Sequence, residues 1–358
     1  MTTLAALTTI VLKYPASKLA GHDLYLRGSA AGLSWDAGVK MTPAGSDTWK
    51  LSLNATAGEF KALIDDRSWA IGSNAAISGG GTQPYTPWFE PGGGRYEYVR
   101  NVPSSAFQNT RDLVVYVPPS YDENPYATYA DVILAQDGEN FFNDSTAFGG
   151  RSWRALPTLD AEIGSGRMRE AIVVAADNTA SRIDEYTYIA DPQYGGGRAD
   201  DYIAFLLETV LPLASQRYRL TADVRVSVLG SSLGGLLACY AAWVSPRVAA
   251  AACMSPSMWW DNQAYLHSLM ATAPPAPRPV VYLDSGDTDG DSEIWPDTIA
   301  VRDKMEAMGW TLGEDLYHYV DQGGCHSEAY WGARLALPLR ALLPGSGAVR
   351  SSGAESAS

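Results

Sequence analysis

The residues best suited to chemistry lie in Gly230-Ser231-Ser232-Leu233-Gly234, a G-x-S-x-G pattern that follows the stretch VRVSVL and opens the stretch LGGLLACYAAW. Glycines two before and two after a serine suit a strained turn from strand to helix, because they remove Cβ atoms that would collide where the two backbones approach. Such a turn lifts the Ser232 hydroxyl above a sheet edge. It also aims the Leu233 N–H at a substrate carbonyl oxygen and sets a helix N-terminus beneath developing negative charge. A serine alcohol needs a base to become a nucleophile, and the chain has four histidines. His22 lies in the N-terminal part, His267 in a candidate helix and His318 inside the strand candidate LYHYV. His326 follows Gly323-Gly324-Cys325, after a strand and before the last helix. Position and chain order make it the expected general base.

A carboxylate is expected after the strand between them, where VVYLD runs into aspartates at 284, 287, 289 and 291. Asp289, three residues past Gly286, fits a G-x-x-D turn and is the preferred acid; Asp287 and Asp284 stay open. The same aspartates superficially follow a calcium loop, but Ser292 and Thr298 occupy its sixth and twelfth positions, where glycine and glutamate are needed. Neither metal nor cofactor is expected. The second oxyanion donor is sought in Gln136-Asp137-Gly138-Glu139-Asn140, as the N–H of Gly138 or Glu139. Trp259 and Trp260 follow the strand candidate AAAACM and should stand at the sheet edge where ligands of open α/β folds bind. With Trp153, Tyr186 and Phe142 they suggest an aromatic wall for an aryl or otherwise flat group, and Arg182 or Arg151 could meet an anionic part.

Positioning these residues requires a sheet with helices around it. From about Leu113 the chain alternates candidate strands (113–117, 131–135, 171–176, 224–229, 249–254, 280–284, 316–320) with candidate helices (199–214, 233–244, 297–309, 328–343). Several strands are apolar on both faces, as a sheet covered by helices requires, so the fold class is α/β with a mainly parallel sheet. From Asp23 to Arg100 the pattern is short strands and turns (DLYLRG, GVKM, TWKLSL, EFKALID, RYEYV), which suggests a small all-β sandwich. The expected organisation is a sandwich over 1–105 with its linker at 101–108, an α/β domain over 106–345, and a disordered tail over 346–358. A length of 358 residues agrees with two domains at about 150 residues each.

Composition narrows the partners. A formal net charge of −14 repels phosphate backbones and anionic membranes, so nucleic acid and membrane partners are not expected. Cys239, Cys253 and Cys325 are too few and too scattered for a disulfide framework and read as free thiols. No signal-peptide pattern or apolar run of transmembrane length is present in the sequence, and the expectation is a water-soluble, cytoplasmic product.

Residues 108–345 resemble the esterase D and enterochelin-esterase-like branch of the α/β-hydrolases, through LAQDGENFF, SRIDEYTY, LGSSLGGL, MSPSMWW and GGCHSEAYW. The resemblance implies hydrolysis of a carboxylic ester by Ser232 and His326, with siderophore lactones, feruloyl esters and S-formylglutathione among the family's substrates; some relatives transfer acyl groups instead. The N-terminal part is similar to starch-binding and early-set sandwiches, through YLRGSAAGLSWDAGVKM, TWKLSL and AGEFKALIDDRSWAIGSN. That likeness implies either a domain leaning over the active site or a glycan held by Trp35 and Trp69, the capping role being favoured. The resulting expectation is a serine esterase acting on a small-molecule ester. Its rivals are an acyltransferase using the same acyl-enzyme and a glycan-binding protein with an inert hydrolase domain.

Overall fold

The computed structural model describes residues 7–346; from 347 onward the expected tail lies outside the described residues. Eight strands form the main sheet: β1 (Arg95–Ser104), β2 (Asn109–Val117), β3 (Tyr129–Gln136), β4 (Ile172–Ala176), β5 (Leu220–Ser231), β6 (Val248–Met254), β7 (Val280–Gly286) and β8 (Leu316–Asp321). Their spatial order is β1-β2-β4-β3-β5-β6-β7-β8. β1 and β2 pair antiparallel, β2 joins β4 antiparallel, and every later pairing is parallel.

Successive residues of these strands alternate between two apolar cores, one on each face. Val132, Leu134, Val174, Val226, Val228, Ala251, Cys253 and Leu283 point into one core. It is closed by α3 (Ala199–Phe205), α4 (Leu211–Arg217), α5 (Leu233–Val244) and α6 (Trp295–Ala307). Ile133, Ala135, Val173, Ala175, Leu229, Ala252, Met254 and Tyr282 point into the other, beneath α1 (Ala155–Gly164), α7 (Glu328–Arg334) and α8 (Ala336–Leu342). One further helix, α2 (Arg182–Tyr186), follows β4. Burial on both faces explains why these strands read as continuous apolar runs. Among the described residues, no helix is long and apolar enough to cross a membrane.

The boundary differs from expectation. RYEYV is not a strand of the N-terminal part but the start of β1, hydrogen-bonded in register to β2, and the expected linker at 101–108 is the end of β1 and its hairpin turn. An alternating strand looks alike in a sandwich and at a sheet edge; only its pairing partner tells them apart. Residues 8–85 form two smaller sheets that share a core including Ile10, Leu12, Leu24, Leu26, Trp49, Phe60 and Ile77.

Those sheets dock through segments leading into β3 and β4. Glu123 accepts from Tyr14 OH (2.7 Å) and from the N–H groups of Phe89 and Glu90, Asn124 donates to the carbonyls of Lys13 and Pro87, and Ser73 donates to Gly166 O. Both segments lie at the sheet edge opposite the one that carries Ser232, so the capping expectation finds no support in these contacts.

The cysteine expectation is also corrected. α5 packs on β6 and brings Cys239 and Cys253 to a Cα separation of 5.9 Å, where they form a disulfide; Cys325 is free. The pairing follows from helix-on-strand packing, which a spacing of 14 residues does not announce.

Glu162 fastens α1 to α8. It is buried and accepts hydrogen bonds from Arg340 (2.6 and 2.8 Å) and Arg167 (3.0 and 2.9 Å). Burial pushes its carboxyl up, but the two guanidinium groups more than reverse this and hold it at about 2, below the ordinary 4.5. A carboxylate held low in the folded state contributes stability that is complete above its unfolded value and is lost as pH falls through its folded one. Glu162→Gln is therefore expected to destabilise the protein at neutral pH and to flatten the loss of stability between pH 4.5 and about 2. Urea denaturation across that range checks it; equally steep declines in both proteins would contradict it.

Candidate active site

Ser232 occupies the corner between β5 and α5, at φ 57° and ψ −125°, a conformation strained for any residue with a Cβ. The surroundings hold it there: its N–H donates to Met254 O (3.0 Å), and its carbonyl accepts from Leu236 N and Ser257 N (3.0 and 3.1 Å). Of the flanking glycines, Gly230 is required sterically and Gly234 is closely packed. A Cβ on Gly230 would stand 2.5 Å from Gly234 O, and one on Gly234 would stand 3.1 Å from Gln136 Cβ. Strand, helix and the 136–140 loop thus converge on the serine.

His326 reaches this corner from the loop between β8 and α7. Its Nε2 is 3.0 Å from Ser232 Oγ and its Nδ1 is 2.7 Å from Asp291 Oδ1. The ring meets Trp331 edge-on at 4.8 Å. The carboxylate that meets His326 is that of Asp291, not of Asp289, the residue preferred from sequence. Asp289 is exposed, and its backbone carbonyl, not its carboxylate, accepts from His326 N–H (3.1 Å). Left-handed backbone at Asp289 (φ 29°) and Gly290 (φ 85°) extends the turn by two residues beyond a G-x-x-D count. Asp287 accepts from Gly323 N–H, and Asp284 pairs with Arg334.

Burial raises the Asp291 carboxyl, while hydrogen bonds from His326, the Gly286 N–H (2.7 Å) and Ser255 (2.8 Å) lower it to a net position below its ordinary value. An ionised carboxylate only accepts. Hence the Nδ1 of a neutral His326 carries the proton and Nε2 is left to accept from the Ser232 hydroxyl, the arrangement general-base chemistry requires.

Leu233 and Gly138 are the first residues of α5 and of a short 3-10 turn (Gly138–Asn140), so their N–H groups have no acceptor within those helices. The loop is built to approach closely: a Cβ on Gly138 would meet Ala175 O at 2.5 Å. Asp137, at φ 55°, is pinned by Arg182 (2.7 and 2.9 Å) and Asn178, and its N–H donates to Tyr186 OH. Burial and the negative charge of Asp137 push the Glu139 carboxyl up to about 7 against the N–H groups of Asn178 and of Glu139 itself.

The expected substrate contacts divide. Tyr186 and Trp260 are buried; the first accepts from Asp137 N–H in the 136–140 loop, and the second donates its indole N–H to Ile189 O (2.8 Å). Arg182 spends its guanidinium on Asp137. Trp153 is buried against Phe141 at 4.6 Å, and Phe142 stacks on Tyr96 at 4.7 Å. Trp259 alone of the two tryptophans is exposed, at 41%, with Tyr194 edge-on at 6.0 Å. Aromatic side chains after a strand end do not reveal which of them the next helix will cover.

Residues 104–342, well over half of the chain, match the family model described as "Putative esterase". The chain belongs to the esterase family. A siderophore triacetylfusarinine C esterase from Aspergillus fumigatus is 34% identical over 86 residues, 24% of this chain; the chain spans only 29% of that relative's length. Among solved structures, the enterochelin esterase of Shigella flexneri is similar with a TM-score of 0.55 at 18% identity, over 93% of this chain and 91% of that one. A ferulic acid esterase is similar with a TM-score of 0.54 at 17% identity, over 70% of this chain and 98% of that one. At such identities the structural likeness speaks for the fold, which is α/β-hydrolase-like.

Within this esterase-family chain, sequence reasoning passed over Ser257, whose Oγ lies 3.5 Å from Ser232 Oγ. It also passed over Ser255, which donates to Asp291, and over Trp331 and Arg334, which donate to Ser255. Ser255 and Ser257 stand in MSPSMWW, a stretch that marked the family without indicating what its hydroxyls touch.

Proposed function

We propose that the protein is a serine carboxylesterase working through Ser232, His326 and Asp291. The observation that carries this is the continuous contact from Asp291 through His326 to Ser232, 2.7 and then 3.0 Å, at the β5–α5 corner of an esterase-family chain. Ser232 Oγ attacks the ester carbonyl carbon as His326 Nε2 takes its proton. The oxyanion is held by Leu233 N–H and an N–H of the 138–139 loop. His326 then protonates the leaving alcohol and draws a proton from the water that clears the acyl-enzyme, while Asp291 stays ionised and steadies the imidazolium.

The substrate class we propose is an ester bearing an aryl or other bulky group. The exposed Trp259, two residues past Ser257, offers it an apolar face. The names of the siderophore and ferulic acid esterases agree with such a group. Turnover of aryl, feruloyl and siderophore esters to free acid, with labelling of Ser232 by a fluorophosphonate, tests the reading; absence of labelling in folded protein would end it. Because only a neutral base accepts the serine proton, kcat/KM is expected to fall with acidification along a single-proton slope. A flat profile between about pH 5 and pH 8 would contradict the role of His326.

A separate reading applies to the N-terminal sheets. Trp35 and Trp69 are 39% and 41% exposed with ring centroids 6.1 Å apart. Such a surface suits the apolar face of a sugar ring. Retention on immobilised starch, lost in Trp35→Ala and Trp69→Ala, would support it.

A further inference from the structure

We propose that Ser255 is a positioning residue for the acid, its hydroxyl being oriented by Arg334 and Trp331 so that Asp291 is held in the rotamer that serves His326. The inference rests on the reading of Ser232, His326 and Asp291 as the reacting triad.

Ser255 follows β6 directly, is fully buried and adopts φ 36°. Its Oγ has three polar neighbours: Arg334 Nη2 at 2.7 Å, Asp291 Oδ2 at 2.8 Å and Trp331 Nε1 at 3.0 Å. A guanidinium and an indole N–H can only donate, and a hydroxyl has two lone pairs and one proton. Both lone pairs are therefore taken, and the one proton is directed at Asp291 Oδ2. That oxygen also receives the Gly286 N–H at 2.7 Å. With Oδ2 doubly donated, Oδ1 is the oxygen presented to His326.

The orienting groups are themselves immobilised. Arg334 donates to both oxygens of Asp284 (2.9 and 3.1 Å), and neither side chain reaches solvent appreciably. Asp284 also accepts from Tyr282 OH (2.9 Å) and Ser255 N–H (3.0 Å). Trp331 is held edge-on to His326. Asp284, an open candidate for the acid from sequence, thus serves as the counter-ion that anchors the guanidinium behind the acid. The charged groups around the His326–Asp291 pair are Arg334, whose Nη2 is 3.9 Å from Asp291 Oδ2, its partners Asp284 and Asp321 behind it, and Glu328 of α7, whose carboxyl is lowered by the charge of a protonated His326 while burial raises it. Asp137 and Arg182, joined to each other, in turn act on Glu328.

Ser255→Ala removes one of the two donors on Asp291 Oδ2, while Arg334 stays anchored to Asp284. The carboxylate becomes more basic, and the His326–Asp291 pair takes up its proton at higher pH. The expected result is a fall in kcat of about tenfold with KM unchanged. The acid limb of the kcat/KM profile should move to higher pH by about half a unit or more. Ser255→Gly, unstrained at positive φ, should show the same displacement and serves if the alanine protein does not fold, as judged by melting temperature. A limb that stays in place or moves to lower pH in folded variants overturns the proposal. Ser232→Ala run alongside separates the two readings. If it retains turnover, the triad itself fails; if it is inactive while the Ser255 limb is unmoved, only the positioning role fails.

Discussion

Ser232→Ala is expected to lower kcat on an aryl ester by about 10⁴- to 10⁶-fold while leaving the melting temperature and the binding of substrate little changed. In the proposed mechanism the hydroxyl oxygen is the atom that bonds to the acyl carbon, and its loss leaves the oxyanion donors with nothing to stabilise beyond direct attack by water. His326→Ala should fall by a similar factor, because without a base the alcohol remains protonated. The double variant should be no slower than either single one, since the two groups act as a unit. Stopped-flow or discontinuous assays of the three proteins decide it. A Ser232→Ala enzyme within about tenfold of the parent would remove the nucleophile from the account.

The aspartates of the β7 loop supply the second large effect. Asp291→Asn should lower kcat by about 10⁴-fold, whereas Asp289→Asn should change it by less than about threefold. An amide cannot satisfy this site in either orientation. With its oxygen toward His326 Nδ1, its NH₂ confronts the Gly286 N–H and the Ser255 hydroxyl. Reversed, the NH₂ faces Nδ1 and drives the imidazole to the tautomer whose Nε2 carries the proton, so that the ring can no longer take one from Ser232. Asp289 offers His326 only its backbone carbonyl, which asparagine retains. If the two variants were equally damaged, or the order reversed, the assignment of the acid would fall with them.

The β7 loop also shows where legibility stops. The turn that carries Ser232 was readable because its requirements are local: a strand, a Cβ-free residue on either side of the serine, and a helix all lie within a few positions of one another, and a Cβ on Gly230 would collide with the Gly234 carbonyl across that corner. The approach of His326 to Ser232 was readable from chain order, since the loop between β8 and α7 returns to the edge where the serine stands. The two-faced burial of the parallel strands was readable from their unbroken apolar runs, and it matches the alternation of their side chains between the two cores.

What needed the tertiary structure was every choice that depends on a distant partner. Four aspartates at the end of β7 and in the loop after it are equivalent until two left-handed residues turn Asp291 inward. A serine in MSPSMWW is unremarked until an arginine 79 positions later donates to it. β1 is a sandwich strand or a sheet edge according to what it pairs with, and Cys239 meets Cys253 only because α5 lies on β6. Tyr186 and Trp260, expected from sequence at the substrate, are covered by neighbouring segments. Turn sterics and strand periodicity are properties of short stretches of chain, whereas hydrogen-bond pairing, burial and docking are settled by which surfaces meet through space.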